Sequence, residues 1–112
     1  MNKPILIVGG GPAGLAAAHA LARVGQNSVV VEKQDRLGGA PILSGYAKLV
    51  PSGEWARDAI GGMVDRVRND PLVDVQTSAR VESFAGQPGA FSARLSNGAS
   101  VDAAAAILCT GF

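Results

Sequence analysis

A glycine-rich turn between an apolar run and an alanine-rich segment constrains the fold of this chain more than any other feature. Pro4–Val8 is wholly apolar, which is typical of a strand buried on both faces of a parallel sheet. The turn Gly9–Gly14 follows, and Pro12 suits the first turn of a helix, where its missing N–H would have no partner anyway. Ala13–Val24 predicts that helix, and Gly25 is placed to cap its end.

A second apolar run extends this segment into a larger unit. Ser28–Glu32 is rich in β-branched residues and predicts a second buried strand. A strand, a helix and a strand within about 30 residues form a βαβ unit, in which the two strands run parallel. The sequence therefore predicts an α/β fold with a Rossmann-like three-layer βαβ arrangement around a parallel central sheet.

The next regular segment has the apolar spacing of an amphipathic helix. We predict a helix over Glu54–Asn69, with Ser52 as its N-cap. The apolar residues on the face toward the sheet are Ala56, Ala59, Ile60, Met63, Val64 and Val67. Before this helix, Lys33–Ala40 is predicted as a loop, and Pro41–Gly53 has no period and is predicted as irregular structure.

After this helix the chain changes to short strands. The predicted strands are Val73–Thr77, Arg80–Ala85, Ala90–Leu95, Ala99–Asp102 and Ala104–Leu108. Glycine-containing turns separate the middle three, and the pair Asn97-Gly98 is the strongest hairpin signal in the chain. We therefore expect a three-stranded antiparallel meander, followed by a last apolar strand.

The composition fits one packed domain over residues 1–112 and excludes several classes of function. Apolar residues make up 47% and charged residues 17%, which favours a globular core over disorder. The net charge of +1 gives no reason to expect nucleic acid or an acidic membrane as a partner. One cysteine and one histidine exclude an internal disulfide and leave too few ligands for a transition-metal site. Glycines interrupt the apolar N-terminal stretch, so we expect a cytoplasmic protein rather than a secretion signal or a membrane span.

The turn Gly9–Gly14 has the glycine spacing of a site that binds a ligand. Gly9, Gly11 and Gly14 form the pattern G-x-G-x-x-G directly after a strand and at the start of a helix. Gly9 permits the tight turn, Gly11 lets a pyrophosphate approach the backbone, and Gly14 lets the helix lie close to the sheet. Glu32, at the end of the second strand, can accept hydrogen bonds from the adenosine ribose and would repel the 2′-phosphate of NADP. This pattern predicts a dinucleotide site but does not separate FAD from NAD, and a glycine turn without a ligand is the alternative.

Features beyond the turn resemble the flavoproteins of the glutathione reductase type, which have two dinucleotide-binding domains. Leu37-Gly38-Gly39 is similar to their second glycine pair, and Ala106–Gly111 resembles their A-T-G strand end, with Cys109 where alanine is usual. Within this group the chain is most similar to the flavin part of heterodisulfide reductase A-type subunits. The matching stretches are Val30–Gly39, Val73–Phe91 and Ala106–Phe112.

The resemblance implies FAD as the cofactor, with the backbone of Val81 at the adenine. The residues that we expect to bind FAD are Gly9, Gly11, Pro12, Ala13, Gly14, Glu32, Lys33, Gly38, Gly39, Ala40, Val81, Thr110 and Gly111. The iron–sulfur cysteines of the resembled subunits have no counterpart in this sequence, nor does the later segment that holds the ribityl chain and the flavin ring. Disulfide reduction and oxidation of a pyridine nucleotide are therefore not carried over.

The function that we expect is that of a small flavoprotein that binds FAD and passes electrons to or from a partner protein. Because the flavin ring would be open, we expect a second copy, forming a dimer, or another subunit to cover it. The alternatives are a non-catalytic module and a fragment of a larger oxidoreductase that binds FAD or NAD.

No catalytic residue emerges from the sequence. We expect Cys109 to be buried and inert and His19 to be exposed on its helix. Arg36 could contact a phosphate or be solvated, and Tyr46 and Trp55 are expected in core or partner contacts rather than over the flavin.

Overall fold

The computed structural model describes residues 3–38 and 56–109. Its elements are β1 (Ile5–Val8), α1 (Pro12–Arg23), β2 (Ser28–Val31), α2 (Ala56–Asn69), β3 (Val73–Gln76), β4 (Val81–Gln87), β5 (Ala90–Leu95), β6 (Ser100–Ala103) and β7 (Ala105–Leu108). The predictions for Pro41–Gly53, Ser52, Tyr46 and Trp55 lie outside the described residues.

Four strands form a parallel sheet in the order β3-β2-β1-β7. Its register places Ile7 of β1 between Val30 of β2 and Ile107 of β7. Successive side chains of a strand point to opposite faces of its sheet. In β1, Leu6 and Ile7 therefore lie on opposite faces, and both are fully buried. Burial on both faces explains why the first strand is apolar without alternation.

One face of the sheet is covered by the two helices that the structure describes, α1 and α2. Leu15 and Ala18 of α1 and Val67 of α2 pack with Ile7 and Val30 of the sheet in one buried cluster. In α2, Met63 and Val64 add to this cluster, whereas Asp65 and Arg66 are exposed. The helical spacing in the sequence predicted this orientation, and the structure confirms it for the residues whose side chains are described.

The other face of the sheet is covered by the antiparallel sheet β4-β5-β6. Its buried residues Ala93, Leu95 and Ala103 pack against Leu6 and Val31 of the parallel sheet. Helices, parallel sheet and meander thus form three layers, which confirms the predicted fold class. The Asn97-Gly98 turn joins β5 to β6, as predicted, with Gly98 in the left-handed region at φ 90°.

The bounds of the elements differ from the sequence-based bounds by one or two residues at most ends. Gly25 ends α1 as predicted, with φ 79° and its N–H donated to the Ala22 carbonyl at 3.0 Å. His19 and Cys109 are both half-buried, so His19 is less exposed and Cys109 less buried than predicted. Cys109 follows β7. Among the described strands β7 pairs only with β1, so Cys109 has fewer neighbouring residues than a residue at the end of a central strand. Among the described residues, no helix is long and apolar enough to span a membrane.

Candidate dinucleotide-binding site

The glycine loop lies at the carboxyl end of β1, where the chain turns into α1. Gly9 has φ 115°, which a residue with a side chain rarely adopts, and its N–H is donated to the Val31 carbonyl at 2.8 Å. A Cβ added at Gly14 would overlap the backbone carbonyl oxygen of Gly9. The positions of these two glycines are therefore required by the turn and by the close approach of the helix, as the sequence predicted.

Gly11 is the N-cap of α1, and its role differs from that of the other two glycines. Its backbone is extended, with φ −80° and ψ −168°, and no side chain caps the helix at this residue. A Cβ added here would meet none of the described residues within 4 Å, so the described part of the chain leaves the space in front of this backbone open. The protein itself does not require a glycine at this position, which leaves room for an external group.

The start of α1 is suited to an anion. The first N–H groups of a helix have no intrahelical acceptor, and the aligned peptide dipoles place partial positive charge there. The first intrahelical bond near this end runs from the Leu15 N–H to the Gly11 carbonyl at 3.0 Å. The first turn contains no acidic side chain. Ala13 and Gly14 can therefore present their N–H groups to a phosphate in the open space at Gly11.

Glu32 lies directly after β2 and faces the same loop. Its side chain is only 7% exposed. The carboxylate atom Oε1 accepts the Gly10 N–H at 2.7 Å, and Oε2 accepts the Gln34 N–H at 2.7 Å. An ionised carboxylate has about four lone-pair sites, so two acceptor positions remain after these bonds. The arrangement can accept two hydroxyl donors, as the vicinal diol of a ribose supplies them.

The segment Leu37–Gly38 completes the same edge. Gly38, at φ 109°, donates its N–H to the Gly10 carbonyl at 2.8 Å, and Leu37 is 3% exposed. A Cβ added at Gly10 would lie 2.5 Å from Leu37 Cδ2 and 3.1 Å from Glu32 Cβ. Gly10 therefore connects three segments of the chain through its N–H, its carbonyl and its missing side chain.

Gly10 is the residue of the site that sequence reasoning missed. The pattern G-x-G-x-x-G assigns its position to any residue, and its contacts lie more than 20 residues away in sequence. The available signal was the run Gly9-Gly10-Gly11, which contains one glycine more than the pattern requires.

Val81, the residue expected at the adenine, lies at the start of β4 and close to Glu32 in the chain fold. The Ala79 N–H is donated to the Glu32 carbonyl at 3.0 Å, and the Ser78 N–H to the Gln34 carbonyl at 2.7 Å. These bonds fix the start of β4, so Val81 lies two residues beyond the contact with Glu32 and is half-buried.

The structure brings most of the described candidate residues to one edge of the parallel sheet. The residues of this group are Gly9, Gly11, Pro12, Ala13, Gly14, Glu32 and Gly38. Lys33 is exposed beside Glu32, and Arg36 is exposed and lies 3.5 Å from the Asp35 carboxylate. The Cys109 N–H is donated to the Val8 carbonyl at 2.8 Å, which places the end of β7 beside the glycine loop. Gly39, Ala40, Thr110 and Gly111 lie outside the described residues.

The sequence of the chain matches a known protein family. The model of a family of FAD-dependent oxidoreductases matches residues 4–103. The chain is 42% identical over 71 residues to a urocanate reductase of Eggerthella lenta, a match that covers 62% of the chain and 12% of the relative. It is 30% identical over 94 residues to the A-type component of a ferredoxin/F420H2-dependent heterodisulfide reductase of Methanosarcina acetivorans, covering 84% of the chain and 12% of the relative. The second match confirms the resemblance that the sequence motifs predicted.

Solved structures of other proteins contain the same fold. The crystal structure of L-proline dehydrogenase from P. horikoshii superposes with a TM-score of 0.83 at 21% identity, over 99% of this chain and 23% of that one. At this identity the likeness shows the fold alone. This chain spans about one eighth of the length of the two curated relatives.

Proposed function

The chain belongs to the family of FAD-dependent oxidoreductases, and we propose from this premise that it is a small flavoprotein module that transfers electrons to or from a partner protein. FAD is the cofactor of the family, as the resemblance to glutathione reductase-type flavoproteins implied. The observation that carries the proposal is the open space at Gly11, in front of the first N–H groups of α1 and beside the Glu32 carboxylate. In this proposal the N–H groups at the start of α1 bind a diphosphate, and the Glu32 carboxylate binds the neighbouring ribose.

In this proposal each residue of the loop has a separate task. The backbone of Gly11, Ala13 and Gly14 binds the pyrophosphate, and Pro12 starts the helix without adding an N–H that needs a partner. Glu32 accepts the ribose hydroxyls with its remaining lone pairs, and its charge disfavours a 2′-phosphate. Bound there, FAD would supply the redox chemistry, while the protein supplies position and electrostatics.

The remaining contacts are part of the same proposal. Val81 is proposed at the adenine because the bonds of Ser78 and Ala79 hold the start of β4 at Glu32. Gly38 is proposed near the pyrophosphate because it is bonded to Gly10. The other residues proposed on the resemblance alone are Lys33, Gly39, Ala40, Thr110 and Gly111.

A partner is proposed to cover the flavin, and the edge strand β7 supports this. Among the described strands, β7 pairs with β1 on one side only, and an unpaired strand edge can accept another strand. Ile107 is 37% exposed and Leu108 is 76% exposed, so this edge presents apolar side chains. We propose that a second copy, in a dimer, or another subunit packs against this edge, next to the glycine loop. The cytoplasmic location expected from the sequence is part of the same proposal.

The lengths of the relatives favour a second candidate. Because the chain spans only about one eighth of each, it is alternatively the nucleotide-binding part of a larger oxidoreductase, acting with further polypeptide or without catalysis of its own. In that case the isolated chain would bind the cofactor without passing electrons to a protein acceptor.

A visible spectrum and a redox cycle of the purified chain test the proposal. We expect the two-banded absorption of an oxidised flavin, bleaching with dithionite under argon, and recovery when a protein electron acceptor is added. A coloured protein that bleaches but recovers only with air favours the second candidate. A colourless protein that binds NADH and not FAD contradicts the proposed function.

Self-association is tested with a pair of matched variants. Leu108 and Val24 are similarly exposed, at 76% and 78%, but only Leu108 lies on the β7 edge. Lysine on an edge strand opposes strand pairing. We expect Leu108→Lys to lower the sedimentation coefficient to that of a monomer, and Val24→Lys to leave it unchanged. A wild-type chain that sediments as a monomer with FAD bound contradicts the dimer.

A further inference from the structure

Both oxygens of the Glu32 carboxylate accept hydrogen bonds from the backbone of the protein. The carboxylate holds the Gly10 N–H and the Gln34 N–H, both at 2.7 Å, and the residue is 7% exposed. Gly10 in turn accepts the Gly38 N–H at 2.8 Å. A group whose only task was to bind a ribose would not need to connect the loop to two other segments.

We infer that Glu32 is a positioning residue that fixes the glycine loop in its diphosphate-binding shape before the nucleotide arrives. The inference deepens the proposed function, on which it depends only for the identity of the ligand. Glu32 acts on the loop through Gly10. The Gly10 N–H is donated to the Glu32 carboxylate, and the Gly10 carbonyl accepts the Gly38 N–H. The loop is then preorganised, so that less ordering accompanies binding.

The two donors select a carboxylate at this position. Each oxygen faces a backbone N–H, so both side-chain atoms must be acceptors. Glutamine has the same shape but carries one NH2 group, which would face an N–H donor in either orientation. A buried donor that faces another donor is unfavourable. Glu32→Gln therefore removes one of the two bonds, and Glu32→Asp, shorter by one methylene, reaches at most one donor without a shift of the backbone.

The packing around Gly10 supports the same role. An added Cβ would lie 2.5 Å from Leu37 Cδ2 and 3.1 Å from Glu32 Cβ. Both neighbours are buried, Leu37 at 3% and Glu32 at 7% exposure, so neither can move aside freely. Gly10→Ala thus presses a methyl group against the side chains of Leu37 and Glu32, and it should disturb the same hydrogen bonds as a change of Glu32 itself.

Amide hydrogen exchange of the nucleotide-free full chain tests the positioning role directly. In Glu32→Gln we expect exchange of the amide that loses its acceptor, Gly10 or Gln34, to accelerate at least tenfold, while the Cys109 amide, bonded to Val8, keeps its wild-type rate. Glu82→Gln is the control, because Glu82 is an exposed carboxylate on β4. If Glu32→Gln gives no dispersed spectrum, Glu32→Asp replaces it and the same amides are read. Wild-type exchange at both Gly10 and Gln34 overturns the inference.

Binding of inorganic pyrophosphate gives a second readout, because this anion carries neither ribose nor flavin. Loss of a negative charge alone should strengthen its binding to Glu32→Gln, whereas loss of the loop shape should weaken it. We expect Glu32→Gln to bind pyrophosphate at least threefold more weakly than wild type. The shifts of the loop amides in the NMR spectrum measure this binding. Equal or tighter binding overturns the inference. A chain that passes both tests yet does not bind FAD would contradict the proposed function alone.

Discussion

Replacing Gly11 with alanine should weaken the binding of FAD while leaving the stability of the fold nearly unchanged. The residue has φ −80° and ψ −168°, which alanine adopts without strain, and within residues 3–38 and 56–109 no atom lies within 4 Å of the new Cβ. Replacing glycine at a compatible position stabilises by about 0.4–1 kcal/mol through the unfolded state. Alanine is a poorer N-cap than glycine, which costs a similar amount. We therefore expect the free energy of unfolding of Gly11→Ala to stay within about 1 kcal/mol of wild type.

The affinity for FAD should respond quite differently. The methyl group would occupy the space at the start of α1 where the pyrophosphate is proposed to contact the backbone. Losing one hydrogen bond to a charged group costs about 1.5–3 kcal/mol. At about 1.4 kcal/mol per factor of ten, the dissociation constant for FAD should rise roughly 10- to 150-fold.

Two further glycines provide the controls for this experiment. Gly14→Ala should lose stability, by about 1–3 kcal/mol or more, because its Cβ overlaps the Gly9 carbonyl oxygen. Gly61 lies in α2, and a Cβ added there would meet no described residue within 4 Å, so Gly61→Ala should stabilise the helix by up to about 1 kcal/mol. Urea unfolding measures stability, and quenching of flavin fluorescence measures affinity. Wild-type FAD affinity in a folded Gly11→Ala protein would refute the reasoning.

Three other predictions concern the body of the fold. Ser28 is 2% exposed and its hydroxyl has no hydrogen-bond partner among the described residues, so Ser28→Ala should leave the urea midpoint unchanged or raise it; a loss above about 1 kcal/mol would contradict this. Phe84 stacks on Phe91 with ring centroids 4.7 Å apart, and a double-mutant cycle to alanine should give a coupling of about 0.5–1.5 kcal/mol, whereas additive effects would contradict the contact. Gly86 has φ 121° and its added Cβ would overlap the Ala90 carbonyl, so Gly86→Ala should lower the thermal midpoint; an unchanged midpoint would show that the hairpin adapts.

The sequence predicts the fold well where a local pattern determines it. The apolar strands, the helical spacing of α2 and the glycine loop each have a period or a turn residue that acts within a few positions. The hydrogen bonds of Gly10 could not be predicted this way, because they depend on a side chain 22 residues away and on Gly38. The partial exposure of Cys109 likewise depends on how few strands adjoin β7, which no local pattern records.

The glycine loop is proposed to hold the ADP half of the cofactor, and competition between ligands tests this proposal most directly. The purified chain, freed of nucleotide, is titrated with FAD in the presence of either ADP or flavin mononucleotide, which carries the flavin without the ADP half. If the proposal is right, ADP displaces FAD and flavin mononucleotide does not displace it. Displacement by flavin mononucleotide, with no effect of ADP, would contradict it.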